Sequence, residues 1–196
     1  AALERVRRHH SDAQVELRRL DLADLASVRE FAERFIEEHG GLDVLVNNAG
    51  VMTLPHGKTK DGFEVQIGTN HLGHFALTGL MMPALLANRG SRVVTVSSVA
   101  HWFGRIRLHD LCWEHGYSRW PAYAQSKLAN MLFMKELGRR AEAKHVALTS
   151  VGCHPGYAST NLQAAGARMT GSGFKEWFMN GTNRHLAQSA AMGAYP

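Results

Sequence analysis

Asp43-Val-Leu-Val-Asn-Asn-Ala-Gly50 is the stretch of sequence that decides the fold. Its first half is a short apolar run, which is typical of a strand buried in a parallel sheet. Its second half is polar and ends in a glycine, so the chain is expected to turn where the strand ends. In open α/β sheets, ligands bind beyond the carboxyl ends of the strands. Residues 47–50 are therefore predicted to border a binding crevice.

Two later stretches show the same sequence pattern, an apolar run followed by polar or turn-forming residues. Ser91-Arg-Val-Val-Thr-Val-Ser-Ser98 is a β-branched run that ends in two hydroxyls, so the strand delivers Ser97 or Ser98 to the crevice. Residues 147–153 form another apolar run, closed by His154-Pro155-Gly156. Because the carboxyl ends of parallel strands meet at one edge of a sheet, these strand ends should point at the same crevice.

Strands and helices alternate along the rest of the chain. A further strand is predicted over Val15 to Leu22. Helices are predicted over Asp24 to Glu38, Gly62 to Leu86 and Pro121 to Ala143, the second of them with a bend near Gly79 and a stop around Pro83. This alternation predicts an α/β fold with a parallel, doubly wound sheet.

Tyr123 and Lys127 stand four residues apart on the last of these helices. Positions four apart share a helix face, so the phenol and the ammonium project side by side. An ordinary tyrosine has a pKa of about 10, and a neighbouring cation stabilises its phenolate. The pair is a candidate acid–base catalyst, although many surface helices carry the same spacing by chance.

Taken together and in order, these motifs resemble the short-chain dehydrogenase/reductase family over nearly the whole chain. The matching residues are Asn47-Asn48-Ala49-Gly50, Asn70, Ser98, Tyr123, Lys127 and Pro155-Gly156. Longer phrases resemble its retinol-dehydrogenase-like branch: Asn70-His-Leu-Gly-His-Phe75, Ser97-Ser-Val-Ala-His101 and Ser126-Lys-Leu-Ala-Asn130. The separation of Ser98 and Tyr123, which is longer than usual in the family, also resembles that branch.

The resemblance implies an NAD(P)-dependent oxidoreductase that interconverts an alcohol and a carbonyl on a fairly apolar substrate. Tyr123 would be the general acid or base, and Lys127 would lower its pKa and bind the nicotinamide ribose. Ser98 would hold the substrate oxygen. Asn70 would bend its helix so that a backbone carbonyl fixes a water linked to Lys127.

The resemblance also assigns cofactor contacts. Asp21 and Leu22 would meet the adenine. Asn47, Ala49 and Gly50 would line the adenosine half, while Pro155, Gly156 and Thr160 would meet the nicotinamide end. The cofactor would be NAD or NADP, with the branch slightly favouring NADP.

The family's glycine-rich phosphate-binding motif is not found in these 196 residues. The sequence is therefore interpreted as one Rossmann-like NAD(P)-binding domain, residues 1–196, truncated at both ends. The sheet is expected to lack the first two strands and the C-terminal end of the family fold. By itself, this fragment is expected to be inactive.

The composition of the chain limits the classes of partner that the sequence predicts. The net charge of +5 is dispersed along the chain without interleaved aromatic residues, so a nucleic-acid partner is not predicted. The twelve histidines lack the spacing of a metal site, and no metal is predicted. With two separated cysteines and no long apolar run, a cytoplasmic chain without a membrane segment is expected. A small-molecule substrate is expected, and a homo-oligomer is compatible with the sequence.

Two alternatives stay open at this point. The protein could be a catalytically silent relative that serves as a binding or scaffold module, although an intact Ser98, Tyr123 and Lys127 argues against it.

The insertion between Ser98 and Tyr123 is expected to pass beside the crevice and shape substrate choice. Four of its large aromatic residues could instead only cover the domain surface; they are Trp102, Phe103, Trp113 and Trp120.

Overall fold

A computed structural model describes residues 2–156 of the chain, and these residues contain a three-stranded parallel sheet. Strand β1 spans Val44–Asn47, β2 spans Ser91–Val96 and β3 spans Leu148–Cys153, in the order β1-β2-β3. The register places Asn47 beside Thr95 and Val96 beside Cys153, so all three strands end at the same edge. The predicted parallel sheet and its carboxyl edge are confirmed.

Helices surround this sheet and bury one hydrophobic core against it. Their bounds are α1 Ala2–His9, α2 Leu25–His39, α3 Val65–Ile67, α4 Gly73–Leu80, α5 Met82–Ala87 and α6 Arg119–Ala143. Asp24 caps α2, since its carboxylate accepts hydrogen bonds from the amides of Ala26 and Ser27. The core includes Val28 of α2, Leu85 of α5 and Val93 of β2, each with no exposed surface. The described residues thus form part of the predicted Rossmann-type α/β fold.

The helix predicted over Gly62 to Leu86 is not continuous. After α3, residues Gly68–Leu72 form a turn of π-helix, and a break at Met81 separates α4 from α5. A π-turn takes one extra residue per turn, so it changes the direction of the side chains that follow it. Asn70 lies in this turn, which confirms the predicted irregularity of the helix there.

The strand predicted over Val15 to Leu22 is wrong. Residues 13–21 adopt neither helix nor strand. A strand needs a neighbour for its backbone amides and carbonyls, and no strand of the described residues lies beside this segment. Leu17 is accordingly 74% exposed.

Candidate active site

The end of β2 sends two adjacent hydroxyls in opposite directions, because side chains alternate along an extended chain. Ser97 is buried and its Oγ donates to the main-chain carbonyl of Lys127 at 2.8 Å. Ser98 caps the short 3-10 helix Val99–Phe103, and its hydroxyl lies near enough to the Tyr123 phenol to lower the pKa of that phenol. Of the two candidate serines, Ser98 is therefore the one beside Tyr123, while Ser97 fastens helix α6 to the sheet.

Tyr123 lies on the second turn of α6 and is only 4% exposed. Burial raises the pKa of its phenol, and the neighbouring Ser98 hydroxyl partly opposes this shift. The phenol therefore keeps its proton at neutral pH, which suits a proton donor.

Lys127 is buried one turn further along α6. Its Nζ lies 5.8 Å from the centroid of the Tyr123 ring and donates to the Val96 carbonyl at 3.4 Å. Burial lowers the pKa of Lys127 to about 8. The expectation that Lys127 lowers the Tyr123 pKa is not met by the protein groups alone, because desolvation of the phenol dominates and Ser98 provides the opposing contact.

Asn70 joins the loop after β1 to helix α6. Its Oδ1 accepts from the Val51 amide at 2.7 Å, and its Nδ2 donates to the Val51 carbonyl at 2.9 Å. The same Nδ2 donates to Ser126 Oγ, which in turn donates to the Tyr123 carbonyl. The side chain thus ties the predicted cofactor loop to the turn of α6 that carries Tyr123.

The main-chain carbonyl of Asn70, predicted to fix a water, accepts a hydrogen bond from His74. Their contact is 2.9 Å at Nδ1. Because a carbonyl can only accept, Nδ1 must carry the proton of a neutral imidazole. Burial lowers the pKa of His74 to about 4, so the ring is uncharged at neutral pH.

Gly50 leaves open the space where these groups converge. A β-carbon added at Gly50 would lie 3.0 Å from Asn70 Oδ1 and 3.6 Å from Lys127 Nζ. A side chain here would therefore crowd the Asn70 amide and contact the Lys127 ammonium. The cradle without a side chain, together with an ammonium donor at its wall, fits the ribose hydroxyls of a nicotinamide cofactor.

Other predicted contact residues are not joined to this cluster by their side chains. Asn47 is buried and its Nδ2 donates to Thr78 Oγ1 of α4. Leu22 belongs to the hydrophobic core. These two side chains stabilise the fold, so their predicted adenosine contacts would have to come from backbone atoms.

The remaining predicted contacts lie on loops. Asp21 and Ala49 are exposed, and the Asp21 carboxylate accepts from the Ala23 amide. Pro155 and Gly156 follow β3, where Gly156 takes a φ of 65°, which glycine adopts without strain. Thr160 lies outside the described residues.

The insertion between Ser98 and Tyr123 is held on α6 by Gln125. This buried amide accepts from the Arg107 amide at 3.0 Å and donates to the Leu111 carbonyl at 2.8 Å. Trp113 is buried beneath the Arg107 guanidinium, whose Cζ lies 4.1 Å from the centroid of the tryptophan ring. Three further aromatic residues of the insertion are exposed, at 80% for Trp102, 84% for Phe103 and 60% for Trp120. The insertion therefore combines one structural tryptophan with an exposed aromatic surface.

Sequence reasoning missed the buried amides that support the site. Gln66, Gln125 and Ser126 all have no exposed surface, yet polar residues carry no signal of burial in their sequence pattern. Their burial could have been suspected from their spacing to the predicted site residues. Gln66 precedes Asn70 by four residues, and the two other side chains lie between Tyr123 and Lys127.

The described residues provide neither a cluster of metal ligands nor a helix suited to span a membrane. Within residues 2–156, no group of three or more histidine, cysteine, aspartate or glutamate side chains is arranged to hold a metal ion. No helix in that range combines the length and the apolar character needed to cross a membrane.

Comparison with known proteins gives a consistent result. A family model described as short chain dehydrogenase matches residues 1–170. Human retinol dehydrogenase 12 is 48% identical over 162 residues, which cover 83% of this chain and 51% of that protein. The chain thus spans about half the length of the curated relatives it matches.

Solved structures agree with the sequence matches. An uncharacterised protein from Mycobacterium paratuberculosis is 55% identical with a TM-score of 0.70, covering 83% of this chain and 59% of that one. A short chain dehydrogenase/reductase from Burkholderia phymatum, solved in complex with NAD, has a TM-score of 0.71 at 18% identity. The match covers 98% of this chain and 70% of the Burkholderia chain, and it shows that the two share a fold.

Proposed function

The chain belongs to the short chain dehydrogenase family, in its retinol-dehydrogenase-like branch, and on that premise we propose that the protein is an NAD(P)-dependent oxidoreductase. It interconverts an alcohol and a carbonyl on a fairly apolar substrate. The observation that carries the proposal is the buried pair of Tyr123 and Lys127, with Lys127 Nζ over the tyrosine ring and the Ser98 hydroxyl beside the phenol.

Tyr123 is the proposed general acid in the direction of reduction. Because burial keeps the proton on the phenol, Tyr123 can donate it to a carbonyl oxygen as negative charge develops there. In the direction of oxidation the same oxygen receives the alcohol proton. Ser98 holds the substrate oxygen beside the phenol, which shortens the path of the proton.

The nicotinamide cofactor supplies or accepts the hydride when it is bound. Lys127 would hold its ribose hydroxyls, since the long contact with Val96 leaves ammonium protons for a ligand. Gly50 would admit the sugar, and the Asn70 side chain would keep the loop around Gly50 in place. Both NAD and NADP remain candidates for this site.

The exposed aromatic surface supports an apolar substrate. Trp120 contacts Tyr123 edge-to-face, with ring centroids 6.2 Å apart, so it borders the reacting group directly. Trp102 and Phe103 follow Ser98 by four and five residues in the 3-10 helix. Aromatic faces of this size gain free energy when an apolar chain covers them.

Steady-state kinetics of the full-length protein would test this function. We expect a medium- or long-chain aldehyde to cause oxidation of NADPH or NADH, followed at 340 nm, and each dinucleotide to be titrated by its fluorescence. Turnover with one dinucleotide would also decide the cofactor. Tight dinucleotide binding without turnover on any alcohol or aldehyde would instead identify a binding or scaffold protein.

A further inference from the structure

Gln66 makes three hydrogen bonds from one fully buried side chain. Its Oε1 accepts from the Thr53 amide at 2.7 Å, in the loop that follows β1. Its Nε2 donates to the Tyr117 hydroxyl at 2.9 Å and to the main-chain carbonyl of Arg119 at 3.0 Å. Both amide protons and the amide oxygen are therefore used to join separate segments.

These contacts repeat, one helical turn away, the connection made by Asn70. Both side chains accept from backbone amides of the loop 51–53, and both donate to helix α6. Asn70 reaches α6 at Ser126, three residues after Tyr123, whereas Gln66 reaches the first residue of the helix. The loop and helix α6 are thus connected at two places, once through Asn70 and once through Gln66.

The loop end of the connection is conformationally demanding. Thr53 has a φ of 52°, in the left-handed region that non-glycine residues seldom occupy. Such a conformation persists only where its surroundings hold it. The hydrogen bond from the Thr53 amide to Gln66 is a contact that holds it.

The helix end of the connection lies one turn before Tyr123. Arg119 begins α6, and its carbonyl points along the axis toward the turn that carries the phenol. A shift of this first turn would move the phenol relative to the loop that contains Gly50. A misplacement of about 1 Å can lower a rate by about 10²-fold, so such a shift would matter for proton transfer.

We propose that Gln66 is a positioning residue for Tyr123. It sets the distance between the loop that contains Gly50 and the first turn of α6, and thereby fixes where the Tyr123 phenol lies relative to that loop. Gln66 does not itself contact substrate or cofactor. The inference rests on the proposed role of Tyr123 as general acid.

The test compares Gln66→Met with Gln125→Met in the full-length protein. Each change removes the hydrogen bonds of one fully buried glutamine and keeps a side chain of similar length. Gln125 forms its hydrogen bonds with Arg107 and Leu111, which both belong to the insertion. Gln125→Met therefore controls for the general loss of a buried amide.

The first readout does not depend on activity. Hydrogen exchange of the Thr53 amide should become at least tenfold faster in Gln66→Met and stay within about twofold of wild type in Gln125→Met. Unchanged exchange at Thr53 in Gln66→Met would overturn the structural part of the inference, whatever the enzyme does.

The second readout is the proton-transfer step. We expect Gln66→Met to lower kcat at least tenfold per dinucleotide-binding site, with nearly unchanged KM for the dinucleotide. The solvent deuterium isotope effect on kcat should rise, because proton transfer becomes slower than the other steps. Gln125→Met should keep the wild-type isotope effect. If both variants lose thermal stability alike and both keep the wild-type isotope effect, Gln66 is only structural.

Gln66→Glu keeps the inference testable if Gln66→Met does not fold. The carboxylate still accepts from Thr53 but cannot donate to Arg119 or Tyr117. We expect slow Thr53 exchange with a reduced kcat, and a wild-type kcat would overturn the inference. Absence of turnover in the wild-type protein would instead contradict the proposed function, while the exchange result would still stand.

Discussion

The Nζ atom of Lys127 lies over the ring of Tyr123, 5.8 Å from its centroid, and both side chains are buried. Burial disfavours the charged form of each group, so the pKa of Lys127 falls to about 8 while that of Tyr123 rises. The phenol therefore holds its proton at neutral pH, and the lysine carries a charge that is costly to bury. Several consequences of this pair can be measured.

Tyr123→Phe should abolish nearly all turnover and spare dinucleotide binding, because the ring still packs while the exchangeable proton is lost. General acid–base catalysis contributes about 10²–10⁴-fold, so kcat should fall at least about 100-fold. Stopped-flow or steady-state kinetics would give kcat, and fluorescence titration would give the dinucleotide affinity. A variant that keeps more than about a tenth of kcat would show that another group moves the proton.

Lys127→Met should stabilise the fold in the absence of cofactor and still impair activity. The fall of the Lys127 pKa from 10.5 to about 8 corresponds to about 3 kcal/mol of unfavourable burial, at about 1.4 kcal/mol per pKa unit. Between these pKa values the unfolded chain binds more protons than the folded one, so the penalty shrinks as pH rises from about 8 to 10.5. The gain in stability should be full below pH 8 and fade above it.

Thermal unfolding of the two proteins across pH 7 to 10.5 would measure that gain. In parallel, Lys127→Met should weaken dinucleotide binding, since the ribose loses its ammonium donor. A constant stability difference across this pH range would mean that Lys127 is hydrated in the folded protein. Unchanged dinucleotide affinity would leave it without a role in binding.

His74 should make the fold sensitive to acid. Its folded pKa of about 4 lies below the usual 6.5, so the unfolded chain binds the extra proton first as pH falls. Stability from the neutral ring is full above pH 6.5 and is lost between 6.5 and 4, by about 3 kcal/mol. His74→Asn offers a matched comparison because an amide nitrogen can replace the Nδ1 donor to Asn70. The unfolding free energy of the wild-type protein relative to His74→Asn should fall by about 3 kcal/mol through this range, and a flat difference from pH 7 to 4 would contradict the prediction.

The sequence predicts the sheet and the order of the site because both depend on local patterns. β2 reads as an apolar β-branched run, and Ser98 follows it directly. Tyr123 and Lys127 need only helical spacing to share a face. Each of these features is encoded within about ten residues, so pattern and structure agree.

Features that depend on distant contacts were not predictable. Residues 15–22 have a strand-like pattern, yet a strand also needs a neighbour, which the pattern does not encode. The pKa of Tyr123 depends on how far the phenol is desolvated, and spacing to Lys127 could not show that. Gln66 looks like any polar helix residue until its three partners are known.

The exposed aromatic residues of the insertion should affect substrate choice. Replacing Trp102 and Phe103 together by Ala removes apolar surface beside Ser98 without opening the core, since both are at least 80% exposed. We expect kcat/KM to fall at least fivefold for long-chain alcohols and less than twofold for short ones. Trp113→Ala is the contrasting change, because it empties a buried site. It should lower thermal stability, and any loss of kcat/KM should be the same for long and short substrates. Equal losses for long and short substrates in the double variant would favour a mere covering role.

The last prediction concerns the 196 residues expressed alone. The outer edge of β1 has no neighbouring strand among the described residues, and Val44 and Val46 are 44% and 54% exposed. Beside them, the buried Oδ1 of Asn47 has no hydrogen-bond partner within residues 2–156. An open strand edge invites pairing with other chains, and each buried unsatisfied group costs about 1–3 kcal/mol against a typical domain stability of about 5–15 kcal/mol. We expect aggregation or partial unfolding and no tight dinucleotide binding, measured by light scattering, thermal melting and fluorescence titration. A monomeric chain with a cooperative melt and micromolar NAD(P)H affinity would show that this edge needs no further strand.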